Sequence, residues 1–511
     1  MSAAAPAVTP PPVSGKLDEF SDKLSPMLVK ELRQGLRAKT FVILFLALQG
    51  LLAVVMLAAV GASSDGDAGM SVSKVIFFFF SLAALVAQPL RGVGSLHNEI
   101  KGNTIDLMVL TRLGSWRIVL GKWVAIVSQT ALLLTAIIPY LILRYFFGRM
   151  DLFAELLLLA LIFAGSAIFT AVTVGLSAIG SVLVRGLLPL AAAIYVGAGI
   201  MGITFGNDLD DVIEICSLQR DGSGWGVLTF LLVGGYLGWM ALALGASMIA
   251  PMAENHSTSR RLIALGMLPL LVLFAWAGDF SREPLAVVLM LVAVPAIVIA
   301  LTEPLQLLPP ICRPFLKFGG LGKLAGRFLY PGWPSGVLFT GLFIAGVLGV
   351  FFSRPGGFGG HMGGFDIVGT IILMTCLGTL LLPALIMRAF VRQAKNPLGV
   401  YILVGVILCV IAIALGMIMS ETKNDEYVWL FSWVPPVQMN LIDHLQSIHY
   451  NSMGSAGFSG SGSPDFQPVL LTGIVTSSVY FVLLLMLALR NFSTIREVEQ
   501  EAENYAATTK P

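Results

Sequence analysis

The sequence predicts an all-α integral membrane protein with about twelve transmembrane helices. Three observations predict it. The 511 residues are 57% hydrophobic and only 12% charged, whereas soluble domains carry roughly a quarter charged residues. Apolar runs of about 20 residues, the length that crosses a bilayer as a helix, recur along nearly the whole chain. These runs are continuous rather than alternating, which excludes a membrane β-barrel.

In chain order, residues 1–24 read as a cytoplasmic tail whose first part is rich in Pro and Ala. The polar leader and the length of the first apolar run argue against a cleaved signal peptide. Ser25-Pro26 then opens an amphipathic helix over 25–39, because Ser caps a helix and Pro fits its first turn. Leu28, Leu32 and Leu36 share one face, and Lys30, Arg33, Arg37 and Lys39 form a basic remainder. A helix of this kind lies in the headgroup layer.

Twelve spans follow, at about 40–61, 70–90, 118–143, 152–183, 186–205, 225–250, 262–278, 285–301, 335–352, 367–387, 398–419 and 468–489. Pro269 interrupts the seventh, which is the shortest. With the N-terminus inside, 24 of the 31 Lys and Arg fall in cytoplasmic segments and 7 on the other side. This is the positive-inside pattern. It predicts a multi-pass membrane protein with both termini, including the tail 490–511, in the cytoplasm.

The spans divide into a first set of six over 40–250 and a second over 260–489. In each half the fifth and sixth spans are joined on the outside, by 206–224 and by the long loop 420–467. The aromatic residues Tyr427, Trp429, Phe431 and Trp433, ahead of Pro435-Pro436, suit a segment that rests on or dips into the membrane. Residues 452–464 are Gly- and Ser-rich, as flexible segments are.

The most specific stretch joins the second and third spans: Glu99-Ile-Lys-Gly-Asn103-Thr104-Ile-Asp106-Leu-Met-Val-Leu-Thr111-Arg112-Leu-Gly-Ser-Trp116, leading into Gly121-Lys122. It is polar, charged and strongly patterned, as suits a docking element for a soluble partner. This stretch resembles the cytoplasmic coupling region of ATP-binding-cassette (ABC) transporter permeases of the type-2 export class. Glu99, Thr104, Ile105, Asp106, Leu107, Thr111, Leu113, Trp116, Ile118, Gly121 and Lys122 follow that family's pattern in order and spacing. Asn103 stands where Gly is usual and Arg112 where Pro is usual. Asn accepts left-handed backbone nearly as Gly does; Arg112 removes a fixed turn.

The resemblance implies a permease subunit that exports cargo with ATP and Mg bound and hydrolysed on a separate cytoplasmic ABC ATPase, present in two copies. It implies a coupling segment at 98–117, with Glu99, Asn103, Thr104, Asp106, Thr111, Trp116 and Lys122 meeting that partner. It also implies an elbow helix carrying Lys30, Glu31, Arg33 and Arg37. The chain is then either a fused pseudo-dimer or one half of a dimer with a second permease copy. The loop 302–334 occupies the equivalent place in the second half but lacks the Glu…Thr-Ile-Asp pattern.

No GxxxxGK[ST] phosphate loop occurs, since Gly121-Lys122 and Gly322-Lys323 lack its flanking residues. The chain is therefore not expected to be an enzyme or to hold a cofactor of its own. Cys216, Cys312, Cys376 and Cys409 show no CxxC spacing. The five histidines, including His444 and His449 beside Asp443, form no catalytic or metal pattern, and nothing supports nucleic-acid binding.

Charged residues are nearly absent from the span interiors, although a central charge costs at least about 2.5 kcal/mol and ion-coupled carriers keep some. An ion-coupled secondary transporter and a non-transporting membrane scaffold subunit are the alternative readings. The apolar interior suits an amphipathic or lipid-like cargo and contact with membrane lipid.

Overall fold

The computed structural model describes residues 26–61, 68–102, 114–145, 151–206, 208–251, 254–353, 364–391, 394–422, 432–438, 440 and 467–508. It is a helical bundle, with no strand among the described residues. Twelve helices are long and apolar enough to cross a membrane: Lys39–Ala58, Val72–Leu90, Ser115–Tyr145, Leu152–Leu176, Leu183–Phe205, Ser223–Ile249, Ser257–Ala277, Pro284–Thr302, Trp333–Phe352, Gly369–Phe390, Pro397–Ile418 and Gln467–Arg490. They are numbered spans 1–12. Six shorter helices accompany them: α1 (Pro26–Leu36), α2 (His97–Lys101), α3 (Leu209–Cys216), α4 (Pro309–Leu316), α5 (Gly319–Leu329) and α6 (Phe492–Thr508).

Most boundaries follow the apolar runs. Span 7 differs, being a continuous helix through Pro269 that starts at Ser257. Its first turn holds Arg260 and Arg261, which hydropathy assigns to a loop although both are buried here. Span 4 ends at Leu176 rather than near 183; a turn and a short π-helical stretch, Leu183–Leu187, lead into span 5. A second π-helical stretch, Leu82–Ala87, lies in span 2. In each case a proline follows within two residues, Pro89 and Pro189. Proline removes an amide donor, and a widened turn re-satisfies the freed carbonyls.

The two sets of six share many of their helix pairings, although span 3 packs on span 4 with no comparable contact between spans 9 and 10. Span 4 lies against span 6 as span 10 lies against span 12, and 3–6 is matched by 9–12. The pairs 2–4, 2–5, 1–2 and 1–3 recur as 8–10, 8–11, 7–8 and 7–9. Close backbone approach enables these contacts, as is usual where lipid gives helices no hydrophobic reason to associate. At Gly175 of span 4 an added Cβ would overlap the Ala241 carbonyl of span 6, and at Gly336 of span 9 the Ala300 carbonyl of span 8. The glycines sit in non-equivalent spans, so the likeness of the halves lies in packing order rather than residue identity.

One core fills spans 1–4 around Leu52, Ile76, Phe80, Leu133 and Ile137. A larger one fills the second half and takes in Val233, Tyr236 and Met240 of span 6. Ile179, Val184, Leu244 and Leu398 close the seam between the halves.

Alternate connections share an end of the bundle. One end carries α1, α2, α4, α5, α6 and the linker 250–256; the other carries α3. At the second end Arg144 and Glu155 form a buried pair at 3.2 Å, and Arg144 also bonds Ser73. Residues 432–438 and 440 pack among spans 10, 11 and 12. Gln438 bonds Thr375 at 3.1 Å and Thr476 at 3.3 Å, and Asn440 donates to the Ala412 carbonyl at 2.7 Å. An added Cβ on Gly378 would stand 3.0 Å from Pro435. Gly378 is nine residues into span 10, about 13 Å along the helix, so this segment reaches well into the bundle. Tyr427, Trp429 and Phe431 lie outside the described residues, as does 452–464.

Candidate functional site

Helices α1 and α2 and the first turns of span 3 build one end of the first half. Helix α1 lies across span 3 with Gly35 over Gln129, where an added Cβ would overlap the amide. Gln129 is 1% exposed and accepts a hydrogen bond from Arg91 at the close of span 2. Arg91 also donates to Gln88 at 2.9 Å and stands 5.7 Å over the Phe41 ring of span 1. Burial pulls the Arg91 guanidinium below its ordinary pKa. Spans 1, 2 and 3 are thus tied beneath one amphipathic helix, whose Lys30, Arg33 and Arg37 remain exposed.

Within this frame Lys122 is the hub. Its ammonium is 2.8 Å from Glu99 of α2 and 3.3 Å from Glu31 of α1. The Lys122 side chain is only 6% exposed, and Glu99 and Glu31 are 16% and 18% exposed. Glu99 and Lys122 of the 99–122 stretch and Glu31 of the amphipathic helix therefore meet in one ion cluster. Lys122 is seven residues into span 3, about 10 Å along it, so a force on α1 or α2 reaches the spanning helix through one side chain.

Trp116 opens span 3 and packs against Trp239 of span 6, ring centroids 6.3 Å apart. It belongs to an apolar cluster with Leu96, Ile118, Val174 and Leu242. Ser177 at the end of span 4 accepts from the Leu96 amide at 3.2 Å. Ser115 donates to Glu254 in the linker between the halves at 3.2 Å. Leu96 and the start of span 3 thus touch spans 4 and 6 and the second half's lead-in. Asn103, Thr104, Asp106, Thr111 and Arg112 lie outside the described residues.

The second half holds an ion cluster at the same end that charge counting missed. Glu303, directly after span 8, is 2.9 Å from Arg260 and 2.8 Å from Arg261. Ser257 and the Gly332 amide, the latter at 3.2 Å, also donate to it. Arg261 donates to the carbonyls of Phe328, Tyr330 and Gly332 and stands 5.6 Å over Phe339. Gly332 has φ +118, a backbone that only glycine adopts readily. Burial alone would raise the Glu303 carboxyl, but the guanidiniums of Arg261 and Arg260 outweigh it and hold the group below the usual carboxylate range. Glu99 and Glu303 each follow the second span of their half. The signal available in sequence was an acid placed immediately after an apolar run and before a proline, Thr302-Glu303-Pro304.

Between the halves at this end lies a cavity of about 510 Å³. Ile179 and Leu244 from the first half and Ile299 and Leu398 from the second line it, with Arg260 and Lys395 on its polar side.

Comparison with protein-family models, curated proteins and solved structures gives no match.

The segments read as loop or tail at this end are also ordered. The stretch 302–334 contains α4 and α5, and much of the tail 490–511 is α6. Helix α6 lies on them through Cys312, Tyr330, Phe492, Ile495 and Ala502. Ion pairs Lys323–Glu503 at 2.6 Å and Arg327–Glu499 at 3.2 Å fasten it. Basic residues on α5 facing acids four apart on α6 were readable only once both segments were known to be helical.

Proposed function

We propose that this chain is the membrane-spanning permease subunit of an ABC-type exporter. ATP and Mg would act on a separate cytoplasmic ATPase, in two copies, docked at the end that carries α1 and α2. The observation that carries this reading is the Glu31–Lys122–Glu99 cluster, which joins the interfacial helix, the docking segment and span 3 at one buried ammonium. A machine driven from outside the membrane needs a stiff polar element fixed to a spanning helix. The resemblance of 99–122 supplies the identity of the driver. The 24-to-7 distribution of Lys and Arg supports a cytoplasmic position for this end. The seam cavity at that end supports a bundle whose halves rock against each other. The cargo is of amphipathic or lipid-like chemistry, in keeping with the apolar interior, and the membrane is the inner (cytoplasmic) one.

The cluster also separates coupling from folding. Removing Glu99 leaves Lys122 paired with Glu31, so insertion and packing should survive. We expect the tagged chain, purified in mild detergent, to bring down a stoichiometric ATPase carrying a phosphate loop, identified by mass spectrometry. The Glu99→Ala/Asp106→Ala double variant should insert normally and lose at least tenfold of that recovery. Recovery of the chain alone, also after cross-linking in membranes, would contradict the proposal and favour an ion-coupled carrier or a scaffold subunit.

A further inference from the structure

A groove of about 460 Å³ lies where α5, α6 and the ends of spans 9 and 12 meet. Its walls are Leu324 and Phe328 of α5, Leu338 of span 9 and Leu489 of span 12. Its rim carries Arg327, Arg490 and Arg496, and no carboxylate lines it. Arg327 is held by Glu499 at 3.2 Å. Arg490 and Arg496 are exposed and have no ion-pair partner among the described residues. The groove therefore has a net positive rim over an apolar wall.

Its depth in the membrane follows from the spans. Leu338 is five residues inside the start of span 9, and Leu489 is in the last turn of span 12. The groove thus covers about 8 Å of helix at one boundary of the apolar zone, with the arginines at headgroup height. Helix α5 points the same way. Lys323 and Arg327 face α6, while Leu321 and Leu324 are 81% and 56% exposed. An apolar helix face with no cover among the described residues, at the level of the span ends, matches acyl chains.

We propose that this groove binds an anionic phospholipid of the leaflet at that end. Its phosphate sits between Arg490 and Arg496, and its acyl chains lie along Leu324, Phe328, Leu338 and Leu489. Guanidinium is well matched to phosphate, since its donors are fixed in a plane and weakly hydrated. The lipid would bridge span 12 to α5 at the root of α6, and so hold the α4–α6 platform against the bundle. This site is independent of the exporter reading and requires only the membrane bundle.

The test uses the full chain, stripped of lipid in detergent and titrated with dioleoylphosphatidylglycerol, dioleoylphosphatidylcholine or sn-glycerol 3-phosphate, with adducts read by native mass spectrometry. We expect saturable binding of one phosphatidylglycerol, and at least fivefold weaker binding of phosphatidylcholine and of glycerol phosphate. At about fivefold per basic residue, Arg490→Gln/Arg496→Gln should weaken phosphatidylglycerol about 25-fold. Arg313→Gln/Lys317→Gln, which removes the same charge from α4 outside the groove, should change it less than twofold. If the arginine variant does not stay monodisperse, Ser493→Glu on the groove lining carries the same expectation of weaker binding. Equal binding of the two lipids, or equal losses in the two double variants, would overturn the site. Glycerol phosphate binding as tightly as the lipid would show a soluble-phosphate site and overturn the lipid assignment.

Discussion

Glu303→Ala is expected to be the most destabilising single change at the membrane boundary of this protein. Arg260 and Arg261 are 5% and 3% exposed, and Glu303 is the carboxylate that faces both. Removing one partner of a buried ion pair typically costs about 3–5 kcal/mol, because the remaining charge stays buried. Here two guanidiniums lose their counter-charge together. The measurement is the thermal midpoint of the purified chain, with the monodisperse fraction as a second readout. Ser257 and the Gly332 amide donate to different oxygens of Glu303, so Glu303→Gln keeps an acceptor for only one of them and should fall between the wild type and Glu303→Ala. A midpoint unchanged by Glu303→Ala would show that the cluster contributes nothing to the fold.

The same cluster sets an acid limit. The folded Glu303 carboxyl lies below its ordinary value, whereas in an unfolded chain a glutamate titrates near about 4.3. The stabilisation is therefore complete above that unfolded value and is lost as pH falls through the lower folded one. The Glu303→Ala penalty should be constant from neutral pH down to about 5 and shrink only in stronger acid.

Lys122→Ala is the second large expectation. It removes the ammonium that lies 2.8 Å from Glu99 and 3.3 Å from Glu31, both of them mostly buried. A cost of about 3 kcal/mol follows from the same physics, and α1 should loosen from span 3. The rescue identifies the cause: adding Glu99→Gln to Lys122→Ala should recover part of the loss, since neighbouring charges couple non-additively. Glu99→Gln alone should cost little, because Lys122 keeps Glu31. Limited proteolysis within α1 reads the loosening, and the thermal midpoint reads the energy. A Lys122→Ala protein with wild-type midpoint and wild-type protection of α1 would remove the mechanical link.

The membrane fold was legible because hydrophobic length is a local property that survives folding. Span 7 was the least legible: Pro269 and the doublet Arg260-Arg261 argued for a late, short start, yet tertiary partners keep both arginines inside the helix. Glu31, Glu99 and Lys122 were each legible as candidates, but their meeting at one point was not. They are separated by up to 91 residues in sequence, and no periodicity in a single chain reports such a contact. Glu303 escaped for the same reason, its partners lying more than 40 residues away. The platform of α4–α6 was hidden by glycine, proline and charge, which read as loop and tail until α6 covers the apolar side of Cys312 and Tyr330.

The central claim is that a soluble ATPase docks on the segment that begins at α2. The most direct test places a photo-crosslinking amino acid at Lys101, which is exposed at the end of α2, and irradiates intact cells. The account predicts one dominant adduct, with a protein that carries a phosphate-binding loop, and little of it from the same probe at Asp210 on the opposite end of the bundle. Adducts with lipid alone at Lys101, or the same protein captured equally from Asp210, would contradict it.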